Sequence, residues 1–191
     1  MRLALFGGTF DPIHNGHLAM AREAVRRCRL DRVLFVPANR PPHKASGTRA
    51  PYEDRYRMVE LACAGEPAFE PSRLEQGTTR SYSIDTIEKV RSTLAPHDEL
   101  DFLIGADAFA ELETWHRWAD VVRLAHFIVV SRPGGQYAIP PGARVHRIDD
   151  LELPASSSEI RRLLAAGQFD VDVPAAVLDY IRAHSLYATA R

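Results

Sequence analysis

Apolar positions fall into two alternating patterns along the chain. The runs "RLALF" (2–6), "RVLFVPA" (32–38), "ELDFLIG" (99–105) and "HFIVVS" (126–131) are nearly continuous in apolar residues and read as buried strands. Between them, "HLAMAREAVRRC" (17–28), "YEDRYRMVELACA" (52–64) and "SIDTIEKVRSTL" (83–94) repeat apolar residues three and four apart, the spacing of one helix face. A weaker strand pattern lies near 68–75, a short one at 145–148, and helical material with Trp115 and Trp118 separates the last two long strands. "SSSEIRRLLAAG" (156–167) and "PAAVLDYIRAH" (174–184) read as two closing helices. Strands alternating with helices predict βαβ units and a doubly wound, Rossmann-like α/β fold with a parallel sheet. Residues 1–150 form its expected core, and 151–191 a small C-terminal helical lobe of the same catalytic domain.

In such sheets ligands sit beyond the C-terminal ends of the strands. That directs attention to residues 7–17, 39–44, 80–86 and 105–115. Composition narrows the partners. The 191 residues suffice for one domain with a substantial core, and 24 basic against 25 acidic side chains give a net charge of −1. A general binder of nucleic acid or membrane would carry a basic excess, so neither partner is expected. "LALF" is too short for a signal segment, no apolar run reaches the length of a membrane span, and Cys28 and Cys63 form no motif. A cytoplasmic protein with two packing cysteines is expected. Whether it is a monomer or a homo-oligomer stays open.

The first strand runs into "GGTFDPIHNGH" (7–17). Gly7 and Gly8 suggest close backbone approach to a phosphate, yet the segment fits neither G-x-x-x-x-G-K-[ST] nor G-x-G-x-x-G. With Asn15 or Gly16 as N-cap, His14 and His17 lie at a helix N-terminus, where free N–H groups and the dipole favour an anion. A second such place is "ASSSEIRRLL" (155–164). Ser156 and Glu159 have the spacing of a capping box, but three serines exceed what a cap needs. Ser158 and Arg161 share a face at the helix start, and the guanidinium can bind a phosphate bidentately. "NRPPHK" (39–44) presents His43 and Lys44 on a proline-stiffened loop. "RSYSIDT" (80–86) offers Ser83 or Ser81 as a helix cap. After the strand 99–105, Gly105 allows close approach and Asp107 can accept from ribose hydroxyls. Trp118, three residues from Trp115, reads as packing.

"GTFDPIHNGH" closely resembles the signature of the nucleotidylyltransferase superfamily, whose H-x-G-H motif stands here as His14-Asn15-Gly16-His17. Within it the chain is most similar, from residue 3 to about 184, to the bacterial nicotinate-nucleotide adenylyltransferases. The resemblance implies ATP and nicotinate mononucleotide as substrates, deamido-NAD and pyrophosphate as products, and Mg²⁺ carried by the ATP phosphates with no protein metal site. It implies ATP contacts at Gly7, Gly8, Thr9, Phe10, Gly16 and the two histidines. "SSSEIR" resembles the family's S-S-[ST]-x-I-R motif, with Ser158 where threonine is commoner, and implies that Ser157, Ser158 and Arg161 grip the phosphates. For the acceptor it implies Lys44 with His43 near the phosphate, Tyr82, Ser83 and Thr86 beside the pyridine carboxylate, and Trp115 stacked on the ring. Arg132, in "SRPG", resembles the segment next to the adenosine. His14, His17 and Arg161 are the expected catalytic residues, donating to phosphates as charge develops; a direct in-line attack needs no protein nucleophile.

Other readings remain on the same residues: a pantetheine-phosphate or nicotinamide-mononucleotide adenylyltransferase, or a nucleotide sensor without chemistry. An aminoacyl-tRNA synthetase would need a lysine-rich second motif and a tRNA-binding extension. A metal site on His14 and His17 lacks an evident third ligand. The long loop 39–51 is expected to close over the acceptor.

Overall fold

The computed structural model describes residues 1–41, 47–153 and 156–188. Its elements are β1 (Arg2–Gly8), α1 (Asn15–Cys28), β2 (Arg32–Pro37), α2 (Tyr52–Cys63), β3 (Phe69–Pro71), α3 (Ser83–Arg91) and β4 (Glu99–Gly105). Then come α4 (Ala106–Ala110), a 3₁₀ turn (Leu112–Thr114), α5 (Trp118–Leu124), β5 (His126–Val130), β6 (Val145–Ile148), α6 (Ser157–Ala165) and α7 (Ala175–Ala183). All six strands are parallel, in the order β3-β2-β1-β4-β5-β6, which is the doubly wound order.

Side chains alternate across the strands, so each strand feeds two cores. Ala4, Phe6, Val33, Phe35, Ile128 and Val130 face one side, where they pack with α1, α2, α6 and α7. Leu3, Leu5, Phe102, Ile104, Phe127 and Val129 face the other, against α3, α4 and α5. The closing helices are therefore continuous with the sheet's own core: Ile160, Leu164, Val177 and Ile181 are buried in the same cluster as β1 and α1.

Several boundaries differ from the sequence reading, each for a local reason. β1 continues through Gly7 and Gly8, because β2 offers pairing partners as far as Pro37. The N-cap of α1 is His14, so Asn15 and Gly16 lie inside the first turn. The cap of α3 is Tyr82; Ser83 is already helical, and the Ser81 hydroxyl is occupied elsewhere. α1 ends at Arg29, left-handed at φ 52°, with Arg26 and Arg27 in the last turn complementing the helix dipole.

One register detail locates the ligand crevice. β1 pairs with β2 up to Gly8–Pro37, and β4 with β5 up to Gly105–Val130, but β1 and β4 pair only to Leu5–Phe102. The sheet thus opens between β1 and β4 at their C-terminal ends, where the strand order reverses.

Candidate active site

The Gly–His loop forms one lip of this crevice. Gly8 is required first by the protein itself: a Cβ there would lie 2.9 Å from the ring of Phe10. Phe10, at φ 49°, turns that ring inward and is buried, so only its backbone can meet a ligand. A Cβ at Gly16 would come within 2.9 Å of His14 Nδ1. The glycine of H-x-G-H therefore makes room for the His14 ring to fold over the first turn of α1.

The two imidazoles lie face to face, 3.7 Å between centroids and tilted by 32°. The His14 backbone N–H donates to His17 Nδ1 at 3.2 Å. A neutral His17 consequently carries its proton on Nε2, ready to donate. Burial pushes the His14 pKa down to about 4, opposed by the Asp172 carboxylate. His17 lies well below the usual imidazole range through burial and the neighbouring His14. Both rings are neutral hydrogen-bond donors at pH 7 in the ligand-free protein. Asn15 anchors the turn, its amide donating to Asp172 at 2.7 Å and its backbone N–H to the Asp172 carbonyl at 3.2 Å.

The serine–arginine motif joins the same loop. Ser157 Oγ donates to the Pro12 carbonyl at 3.0 Å, and Arg161 Nη1 to the Asp11 carbonyl at 2.7 Å. Arg161 Nη2 donates to Ser158 Oγ at 3.1 Å, orienting hydroxyl and guanidinium together. Ser156 caps α6 by accepting from Glu159 N–H, which leaves Ser157 and Ser158 for other uses. A cleft of about 580 Å³ opens beside the seam, lined by Arg49, Ser158, Arg161, Arg162 and Tyr187.

Around the crevice, Gly105 ends β4 with open space where a Cβ would be, and Asp107 is exposed in the first turn of α4. Arg132 is exposed just after β5. On the β2 side, Ser83 is half-buried, and half-buried Tyr82 stacks on His116 at 4.5 Å while its hydroxyl accepts from Arg80. Trp115 is half-buried, edge-on to Phe102 at 5.8 Å. Trp118 packs against the same core. Thr86 sits differently from the expectation. It is buried, and its hydroxyl donates to Glu75 at 2.7 Å, so burial takes it away from a ligand. His43 and Lys44, the expected acceptor-phosphate contacts, lie outside the described residues, as does the middle of the loop 39–51.

Three residues that the sequence reading did not place in the site hold these parts together. Asp11, almost fully buried, accepts from the N–H groups of Arg49 (2.7 Å) and Ala50 (3.1 Å) and from the Tyr187 hydroxyl (2.8 Å). Ser81 Oγ accepts from the N–H groups of Asn39 and Arg40, tying the start of the β2–α2 loop to α3. Arg55 is buried within α2. Its signal was visible, because it occupies a core position in the pattern Arg55, Tyr56, Met58, Val59, Ala62.

A cytidylyltransferase-like family model matches residues 5–163. The probable nicotinate-nucleotide adenylyltransferase of Solibacter usitatus is 67% identical over 187 residues, covering 98% of this chain and 100% of that protein. The protein of the same name from Thermus thermophilus is 46% identical over 189 residues, with 98% and 100% covered. Among solved structures, Plasmodium falciparum nicotinic acid mononucleotide adenylyltransferase complexed with NaAD superposes with a TM-score of 0.81 at 19% identity, covering 97% of each chain.

Proposed function

Because the chain belongs to the cytidylyltransferase-like family, and within it to the nicotinate-nucleotide adenylyltransferases, we propose that it joins ATP and nicotinate mononucleotide. The products are nicotinate adenine dinucleotide and pyrophosphate, a step of NAD biosynthesis. The observation that carries this reading is the seam between α6 and the Gly–His loop. Two donor-rich segments, far apart in sequence, make one wall at the strand ends through Ser157–Pro12 and Arg161–Asp11.

The acceptor phosphate is an anion near pH 7. Its oxygen attacks the α-phosphorus in line, forming one P–O bond while the bond to the bridging oxygen breaks and pyrophosphate leaves. No side chain has to remove a proton. The work left to the protein is alignment and charge stabilisation. His17 Nε2–H and His14 donate to phosphate oxygens, and from the α6 part of the same wall Arg161, the Ser158 hydroxyl and the Ser157 backbone N–H hold them. Held in place before the phosphates arrive, the buried imidazole N–H groups need no reorganisation as charge moves toward the leaving group. Gly7, Gly8, Thr9, Phe10 and Gly16 present backbone; Gly105, Asp107 and Arg132 serve the nucleoside; Tyr82, Ser83 and Trp115 serve the acceptor. Thr86 backs that side through Glu75. The donors here are N–H groups, hydroxyls and a guanidinium, which suit phosphate oxygens rather than a cation. Mg²⁺ would therefore be held by the ATP phosphates, where it would neutralise charge on the departing pyrophosphate. A cytoplasmic location goes with this reading; no helix among the described residues is long and apolar enough to cross a membrane.

The test is pyrophosphate release from Mg-ATP with nicotinate mononucleotide, nicotinamide mononucleotide and phosphopantetheine in separate reactions. Turnover fastest with the first is the expected result. Preference for phosphopantetheine, or ATP binding without release in any arm, would refute it.

A further inference from the structure

Helix α2 buries a cation that the chemistry above does not use. Arg55 is fully enclosed, and none of its hydrogen bonds goes to a carboxylate among the described residues. Nη1 donates to the Thr9 carbonyl at 2.6 Å, Nε to the Ala50 carbonyl at 3.2 Å, and Nη2 has no partner among the described residues. Asp11 compensates the charge only through space. A guanidinium in that setting is costly to bury.

Both carbonyls belong to segments that bound the candidate site. Ala50 closes the β2–α2 loop and gives its N–H to Asp11 while accepting from Arg55. Thr9 leads directly into Phe10, whose left-handed backbone sends its ring against Gly8 and edge-on to the His17 imidazole, 5.1 Å between centroids. Unbroken contacts therefore run from the guanidinium through the Thr9–Phe10 peptide and the Phe10 ring to His17. We infer that Arg55 is a positioning residue: it fixes the Thr9–Phe10 peptide so that Phe10 holds His17 in the orientation the phosphates meet. The kinetic part of this inference rests on the adenylyl-transfer reading, whereas the orientation of His17 does not.

Arg55→Met and Arg55→Lys separate this role from mere support of the fold. In the ligand-free protein, the His17 imidazole resonances, assigned by their loss in His17→Gln, should be displaced in Arg55→Met and lie closer to the wild-type positions in Arg55→Lys. With Mg-ATP and nicotinate mononucleotide, kcat should fall about 10–100-fold in Arg55→Met while both KM values stay within about threefold, and Arg55→Lys should recover part of the rate. A folded Arg55→Met with wild-type His17 resonances overturns the inference. So does an unchanged kcat with raised KM, which would assign Arg55 to the loop alone. Should Arg55→Met fail to fold, Arg55→Lys decides by the same two readouts, and wild-type values in both overturn it. Should the wild type make no product, the functional reading falls and the resonances alone decide.

Discussion

The depressed pKa of His14 turns into a pH dependence of stability that can be worked out in advance. Burial takes the imidazole from 6.5 to about 4. Below 6.5 the unfolded chain binds the proton and the folded one does not, so acid favours unfolding. The sign is opposite to that of a histidine gaining a partner: the contribution is fully present above pH 6.5 and is lost as pH falls toward 4. At about 1.4 kcal/mol per unit, His14 alone should remove about 2 kcal/mol by pH 5 and about 3 kcal/mol near pH 4. Urea unfolding of the wild type and His14→Gln at pH 7, 6 and 5 reads this directly, with m-values confirming a common transition. His17 and His126, also depressed by burial, are retained in the variant and largely cancel in the comparison. The wild type should lose about 2 kcal/mol more than His14→Gln between pH 7 and 5. Parallel stability curves would refute the claim that His14 is held neutral.

Three further outcomes follow from particular contacts. His17→Ala should keep its cooperative melt while kcat falls about 10²–10³-fold in a pyrophosphate-release assay, the loss of one preorganised donor. Gly16→Ala places a methyl 2.9 Å from His14 Nδ1; the ring must swing away, so turnover should drop at least about tenfold, with a melting temperature within a few degrees of wild type as the check. Tyr187→Phe removes one of the three donors to buried Asp11 among the described residues and should cost about 1–2 kcal/mol in urea unfolding.

The period of the apolar residues was enough to predict a parallel sheet of strands alternating with helices, because a buried parallel strand and an amphipathic helix each impose their own spacing. The donor-rich segments were legible for the same reason that they are unusual: histidines and serines beyond what capping needs stand out at helix starts. What stayed hidden is whatever depends on side chains meeting across the fold. Asp11 reads in sequence as half of a turn dipeptide; only the folded chain brings Arg49, Ala50 and Tyr187 to it. Thr86 reads as a hydroxyl beside a ligand, and Glu75 claims it. His14 reads as preceding the helix, yet it is the cap, since its own N–H is satisfied by the next histidine of the motif. Helix boundaries and N-caps shift by one or two residues through such local bonds.

The bonds that fix the Gly–His loop join residues far apart in the chain: Pro12 to Ser157, Asp11 to Arg161, Asp11 to Tyr187. During synthesis the histidines emerge well before Ser157, Arg161 and Tyr187. The parallel sheet can pair from its first strands onward, but the bonds that fix the Gly–His loop form only after α6 and the segment around Tyr187 have left the ribosome. A chain stopped short of α6 would carry the first motif and all six strands, yet lack the bonds from Ser157, Arg161 and Tyr187.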